Sequence, residues 1–194
     1  MSSQAPDLPA RLWAYLRLKP GQPAAGQAPA LWSLVLDAAK PATWSQPLGL
    51  AEFLDRFAPH ARASSHLMAR LQGCAEVWLL AATIGPGPEC LAAWHFHKRQ
   101  FLAGYLVDRM ASWLVEQTMR GLAEDTAKIR RQAGLSPVAR YSPGYHDFSL
   151  EAQRTFAALA GPHIPITLTR SCMLDPQKSI TAVMGAAARG PGRP

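Results

Sequence analysis

Val77-Trp78-Leu79-Leu80-Ala81-Ala82-Thr83-Ile84 is a continuous apolar run with one hydroxyl, closed by Gly85-Pro86-Gly87-Pro88-Glu89. Eight such residues bounded by glycine and proline read as a β-strand buried on both faces. A strand, a glycine-containing turn and then a helix superficially open a dinucleotide-binding fold. The chemistry of the turn argues otherwise. Pro86 and Pro88 have no amide N–H, so two of the donors that would cradle a phosphate are missing. No second strand ending in an acid follows either, because Lys98 to Lys128 reads as one long helix. Leu102, Leu106, Met110, Trp113 and Leu114 recur along it at three or four residues and mark a core-facing side.

Upstream of the strand, residues 1–27 carry Pro6, Pro9, Pro20 and Pro23 with Gly21 and Gly26, so only Arg11 to Leu18 offers a turn or two of helix. Ala30 to Ala39 has helical spacing and stops before Pro41. A second loop runs through Pro47 to Leu48–Phe57. Ser64 or Ser65 caps a helix carrying Leu67, Met68 and Leu71, which Gly73 ends. Downstream, Thr126 to Val138 reads as a helix end and linker. Ser149 caps a helix through Ala160, with Glu151 and Gln153 in its first turn, and Gly161-Pro162 ends it. Ile164–Thr169 and Ser179–Gly185 read as short strands, so the fold class expected is α+β. The domain reading is a flexible 1–10, one domain over 11–186 (helical to about 75, α+β from about 76) and a flexible tail 187–194.

At 194 residues the chain is long enough to bury roughly 70% of its unfolded surface. With 48% apolar residues and six tryptophans, it has the material for a packed core. Its longest apolar run is far short of a bilayer span, so no membrane segment is expected. The first residues show neither a basic region nor an apolar one, and the three cysteines are widely spaced without a CxxC. Both observations point to reduced thiols in a cytoplasm. The net charge of +7 favours an acidic protein partner, whereas the scattered lysines and arginines form no basic stripe for nucleic acid. His95 and His97 would point to nearly opposite sides of a helix, and no cysteine or acid cluster joins them, so they read as polar surface and no metal is expected.

The motif with most chemistry is Arg140-Tyr141-Ser142-Pro143-Gly144-Tyr145. Pro143 presets one turn position, and Gly144 permits positive φ or a close approach to a ligand. The bend would hold a guanidinium fork near an aromatic face. Together they suit a small molecule with a carboxylate and a flat ring, the charge-assisted pair being worth ~1.5–3 kcal/mol. The same residues also read as a tight turn with an exposed arginine and a packed tyrosine.

Three stretches in this order resemble one family. They are His66-Leu67-x-x-x-Leu71-x-Gly73-Cys74 running into Trp78–Gly85, then Arg140-x-x-x-Gly144-Tyr145, then Leu168-Thr169-x-Ser171-x-Met173 with Pro176-x-Lys178-Ser179-Ile180-Thr181. Over roughly Arg11 to Gly185 the chain resembles the activation (reactivation) domain of cobalamin-dependent methionine synthase, in its compact stand-alone form. The resemblance implies a single arched α+β domain built on an antiparallel sheet flanked by helices. It implies an S-adenosylmethionine site formed by Arg140, Pro143, Gly144, Tyr145, Asp147, Thr169 and Ser171. It further implies a role in reductive methylation of cob(II)alamin, the cobalamin being supplied by a corrinoid-binding methionine synthase subunit and the electron by a flavodoxin-like donor.

The chain departs from the family in four places. Arg170 stands where an acid is common. Two positions that hold acids in the full-length enzyme fall on Ser112 and Gly134. The strands that follow in the longer domain are absent after Gly185. The cobalt-binding Asp-x-His-x-x-Gly and the cysteine pair of the homocysteine site are also missing, so the chain resembles a component of a methyltransferase rather than a complete one. Two other functions stay open: service to another corrinoid methyltransferase system, and an interaction module that has lost the ligand.

Overall fold

The computed structural model describes residues 7–19 and 21–188. The terminal residues 1–6 and 189–194, expected to be flexible, lie outside the described residues. In chain order, helices α1 (Ala10–Leu16) and α2 (Pro23–Ala38) lead to strand β1 (Ala42–Gly49). Three short helices follow, α3 (Leu50–Arg56), α4 (His60–Ala63) and α5 (Ser65–Leu71), and then β2 (Cys74–Thr83). Helices α6 (Gly87–His97) and α7 (Phe101–Gln132) precede β3 (Leu135–Pro137). A 3-10 turn (Leu150–Ala152) runs into α8 (Gln153–Ala160), and β4 (Thr167–Leu168), β5 (Leu174–Asp175) and β6 (Ser179–Ala188) are the last elements of the described residues.

The main sheet has the order β1-β2-β6-β3 with every neighbour antiparallel, and β4 and β5 form a separate two-stranded ribbon. The fold is therefore α+β, an antiparallel sheet flanked by helices. The apolar run is the central strand, and both faces are covered. Leu80 and Ala82 pack with Met184 against Met119 and Ala127 of α7. Val77 and Leu79, on the other side, join Val183, Phe53, Phe57, Phe148 and Phe156 under α3, α5 and α8. Helices α1, α2 and α6 pack on the first half of α7, through Leu12, Trp32, Val35, Ala92, Leu106 and Met110.

Several local expectations are corrected. Helix α2 begins at Pro23, not Ala30, because proline suits the first helical turn; Pro29 lies inside the helix, which continues through it to Ala38. The loop expected before Pro47 is β1, an edge strand where a residue without N–H is tolerated. The linker after α7 contains β3. The first short strand shrinks from Ile164–Thr169 to Thr167–Leu168, and β6 extends past Gly185 to Ala188. The long helix starts at Phe101, after a left-handed Arg99 (φ 59°) separates it from α6, and its Leu102 is exposed. His95, read as surface, is buried, with Nδ1 2.7 Å from the Gln100 Oε1. All three cysteines are free, and burial pushes the Cys74 thiol up from its ordinary pKa. Among the described residues no helix is long and apolar enough to cross a membrane.

Candidate functional site

After β3 the chain runs on beside β6. The Val138 N–H donates to the Gly185 carbonyl at 2.8 Å, and Tyr141 and Val183 exchange two main-chain hydrogen bonds of 2.8 Å. On extended backbone neighbouring side chains diverge. The Tyr141 ring is buried beside Phe148, whereas Arg140 turns toward α7 and pairs with Glu116.

The bend that follows is closed by its own main chain. The Tyr145 N–H donates to the Ser142 carbonyl at 3.3 Å, and the Gly144 N–H to the Phe148 carbonyl at 2.7 Å. Gly144 has φ +88°, and an added Cβ would also lie 3.2 Å from Leu150 Cδ1. The Tyr141 hydroxyl donates to the Tyr145 carbonyl at 3.0 Å. Burial, foremost, raises the Tyr141 pKa, with the Asp147 charge adding to it and Arg70 and Ser64 opposing, so the phenol stays protonated and can donate.

Asp147 fastens this loop to the start of α5. It accepts from Ser64 Oγ (2.5 Å), Ser65 Oγ (2.7 Å) and the His66 N–H (3.2 Å). The Ser64 hydroxyl, first among these, holds the Asp147 carboxyl well below the usual carboxylate range. Burial works against it, and Ser65 and His66 reinforce it.

The loop walls an open cleft of about 650 Å3 at the end of the sheet where β6 begins. Arg70, Glu116, Arg140 and Tyr145 supply its charge and its exposed ring, and Gln153, Ile180 and Thr181 line it from α8 and β6. The Thr181 hydroxyl donates to Gln153 Oε1 at 2.7 Å within the buried layer. The edge of β6 is open here, since β3 pairs only with Ala186–Ala188 and the last bridge on that side is at Val183. Antiparallel strands direct alternate residues to alternate neighbours, so the main-chain groups of Thr181, two residues from Val183, face the cleft. An adjoining recess of about 560 Å3 shares Gln153, Leu174 and Ser179 with it.

The structure distributes the sequence-identified residues unevenly. Arg140, Pro143 and Tyr145 line the cleft. Thr169 and Ser171 line the recess, their hydroxyls 3.0 Å apart, with Thr169 Oγ1 accepting the Met173 N–H at 3.1 Å. Gly144 and Asp147 shape the loop from behind and line neither space. Arg170 is exposed and also lines neither. Of the two positions read as lost acids, the Ser112 hydroxyl accepts from Lys178 Nζ at 3.0 Å, and Gly134 (φ +79°) closes the end of α7.

Glu116, Arg70 and Gln153 were not foreseen. Glu116 lies one helical turn beyond Ser112, and helical periodicity was the one signal available for it. Its carboxylate beside the Arg140 guanidinium places both signs of charge at one end of the cleft. Such a pair can separate to meet a ligand that itself carries a cation and an anion.

Among solved structures, the chain is similar to one described as the MetH reactivation domain bound to AdoHcy, with 16% identity and a TM-score of 0.47. The match covers 94% of this chain and 74% of that one. No protein-family model and no curated protein matches the sequence.

Proposed function

We propose that the cleft binds S-adenosylmethionine and that the protein is a reactivation component of cobalamin-dependent methionine synthase. The observation that carries this reading is the Arg140–Glu116 pair. An α-amino acid brings a carboxylate for the guanidinium fork and an ammonium for Glu116, so the ligand exchanges one ion pair for two. The rest of the molecule has complementary surfaces: an exposed Tyr145 ring for a flat base, and the open β6 edge for a hydrogen-bonding rim. Glu116 supplies a negative charge in the cleft, where Ser112 and Gly134 carry none.

In this reading the ligand supplies an activated methyl group. The chain's own residues bind and orient it toward a corrinoid, and orientation is where a protein of this kind accelerates transfer. The corrinoid comes with a partner subunit, because the sequence has no Asp-x-His-x-x-Gly. The reducing partner is an acidic, flavodoxin-like protein.

Calorimetry with S-adenosylmethionine, on wild type and on Arg140→Ala, tests the reading. The substitution leaves the ligand carboxylate without its guanidinium partner, so the loss expected is ~2–4 kcal/mol, roughly thirty- to a thousand-fold in Kd. Arg140→Lys recovers only part of it. Glu116→Gln weakens binding by a smaller factor, because the ligand ammonium keeps an amide oxygen. Equal affinity in wild type and Arg140→Ala would remove the cleft from the ligand site.

A second reading is favoured by the same pair. Arg140 is already satisfied by Glu116, as in an interaction module that has lost its ligand. That reading expects no heat with S-adenosylmethionine, and a lower melting temperature for Arg140→Ala.

A further inference from the structure

A second groove lies between α1 and α7, on the far side of Glu116 from the cleft. Arg11 and Tyr15 stand one turn apart on α1, and Trp113, Gln117 and Arg120 face them from α7 around a cavity of about 560 Å3. Arg109 joins them, its guanidinium 4.1 Å from the centre of the Tyr15 ring. Among the described residues none of these three arginines has a carboxylate partner. The acid that lines the groove, Glu116, is engaged by Arg140. Guanidinium groups gathered without a counter-charge repel one another, and an anion between them relieves that repulsion. Their forked donors match phosphate oxygens, and the sides of Tyr15 and Trp113 give a flat apolar wall.

We propose that the α1/α7 groove binds a phosphate carried on a planar ring, a ligand of the mononucleotide kind. Arg11 and Arg120 hold the phosphate, and Tyr15 and Trp113 flank the ring. A dianion suits the site better than one carboxylate, because two guanidinium forks line the groove and Arg109 adds a third positive charge beside Tyr15. The inference does not rest on the S-adenosylmethionine reading, since it draws on different cations and a different wall.

Calorimetric titration of the full chain with AMP, inorganic phosphate and adenosine tests it. AMP should bind at least tenfold more tightly than either phosphate or adenosine. Arg120→Ala should weaken AMP by about tenfold and Arg120→Glu by more, with Arg11→Ala similar to the former. Arg11 and Arg120 are exposed and outside the core, so thermal melts of these variants should match wild type. Tyr145→Ala, in the other cleft, should leave AMP binding unchanged. AMP affinity that falls with Tyr145→Ala but not with Arg11→Ala and Arg120→Ala would overturn the proposal. So would AMP binding no tighter than inorganic phosphate.

Discussion

Ser64 is fully buried and its one hydroxyl serves two partners, accepting from the Leu67 N–H at 3.1 Å and donating to Asp147. Ser64→Ala removes a helix cap and leaves Leu67 N–H unpaired in the interior, so a loss of about 1–3 kcal/mol is expected in denaturant unfolding. Asp147 adds a pH dependence. Its folded pKa lies below the unfolded value of about 3.9, so its contribution is complete above that value and disappears as pH falls through the folded one. The wild-type melting temperature should therefore drop on acidification below about pH 4, more steeply than that of Asp147→Asn. Equal slopes would show that the carboxylate does not tie the loop to α5. At this scale the turn residues were legible, because Pro143 fixes its own φ and Gly144 opens the positive-φ region whatever surrounds them. Glu116 was not, since helical periodicity alone leaves open which turn of a 32-residue helix will face a loop 24 positions later.

Among the elements, β2 announced itself because both its faces are covered, so its sequence has no polar alternation to blur it. Strand β1 was hidden for the opposite reason. It is an edge strand with half-exposed residues and a proline paired opposite Trp78, and its composition resembles a loop. Strand β3 is too short for any periodicity and exists through its pairing with Ala186–Ala188. The start of α6 lies close against the end of α2. A Cβ on Gly87 would lie 2.1 Å from the Ala38 carbonyl oxygen at the end of α2. The atom met is main chain rather than a flexible side chain, so Gly87→Ala should destabilise by roughly 1–3 kcal/mol. A melting temperature within a degree of wild type would mean that the two helices slide freely.

For the whole molecule, the formal charge of +7 bears on how it meets partners. On the proposed function, association with an acidic, flavodoxin-like donor should slow as salt rises from 0.1 to 1 M, because the Debye length falls from roughly 10 Å to 3 Å. An on-rate indifferent to salt in stopped flow would exclude electrostatic steering. The position of β6 has another consequence, for the chain as it is made. Thr83 on β2 meets its neighbour Ser179 only 96 residues later, so at ~5–20 residues per second the ribosome releases β2 roughly 5–20 s before its second edge can be covered. Throughout that interval the most apolar strand of the protein is a nascent segment with free main-chain donors and acceptors, and it is the natural target for chaperone capture. Chains arrested before Ser179 should be recovered bound to chaperones or in the insoluble fraction, and chains released after Ala188 in the soluble one.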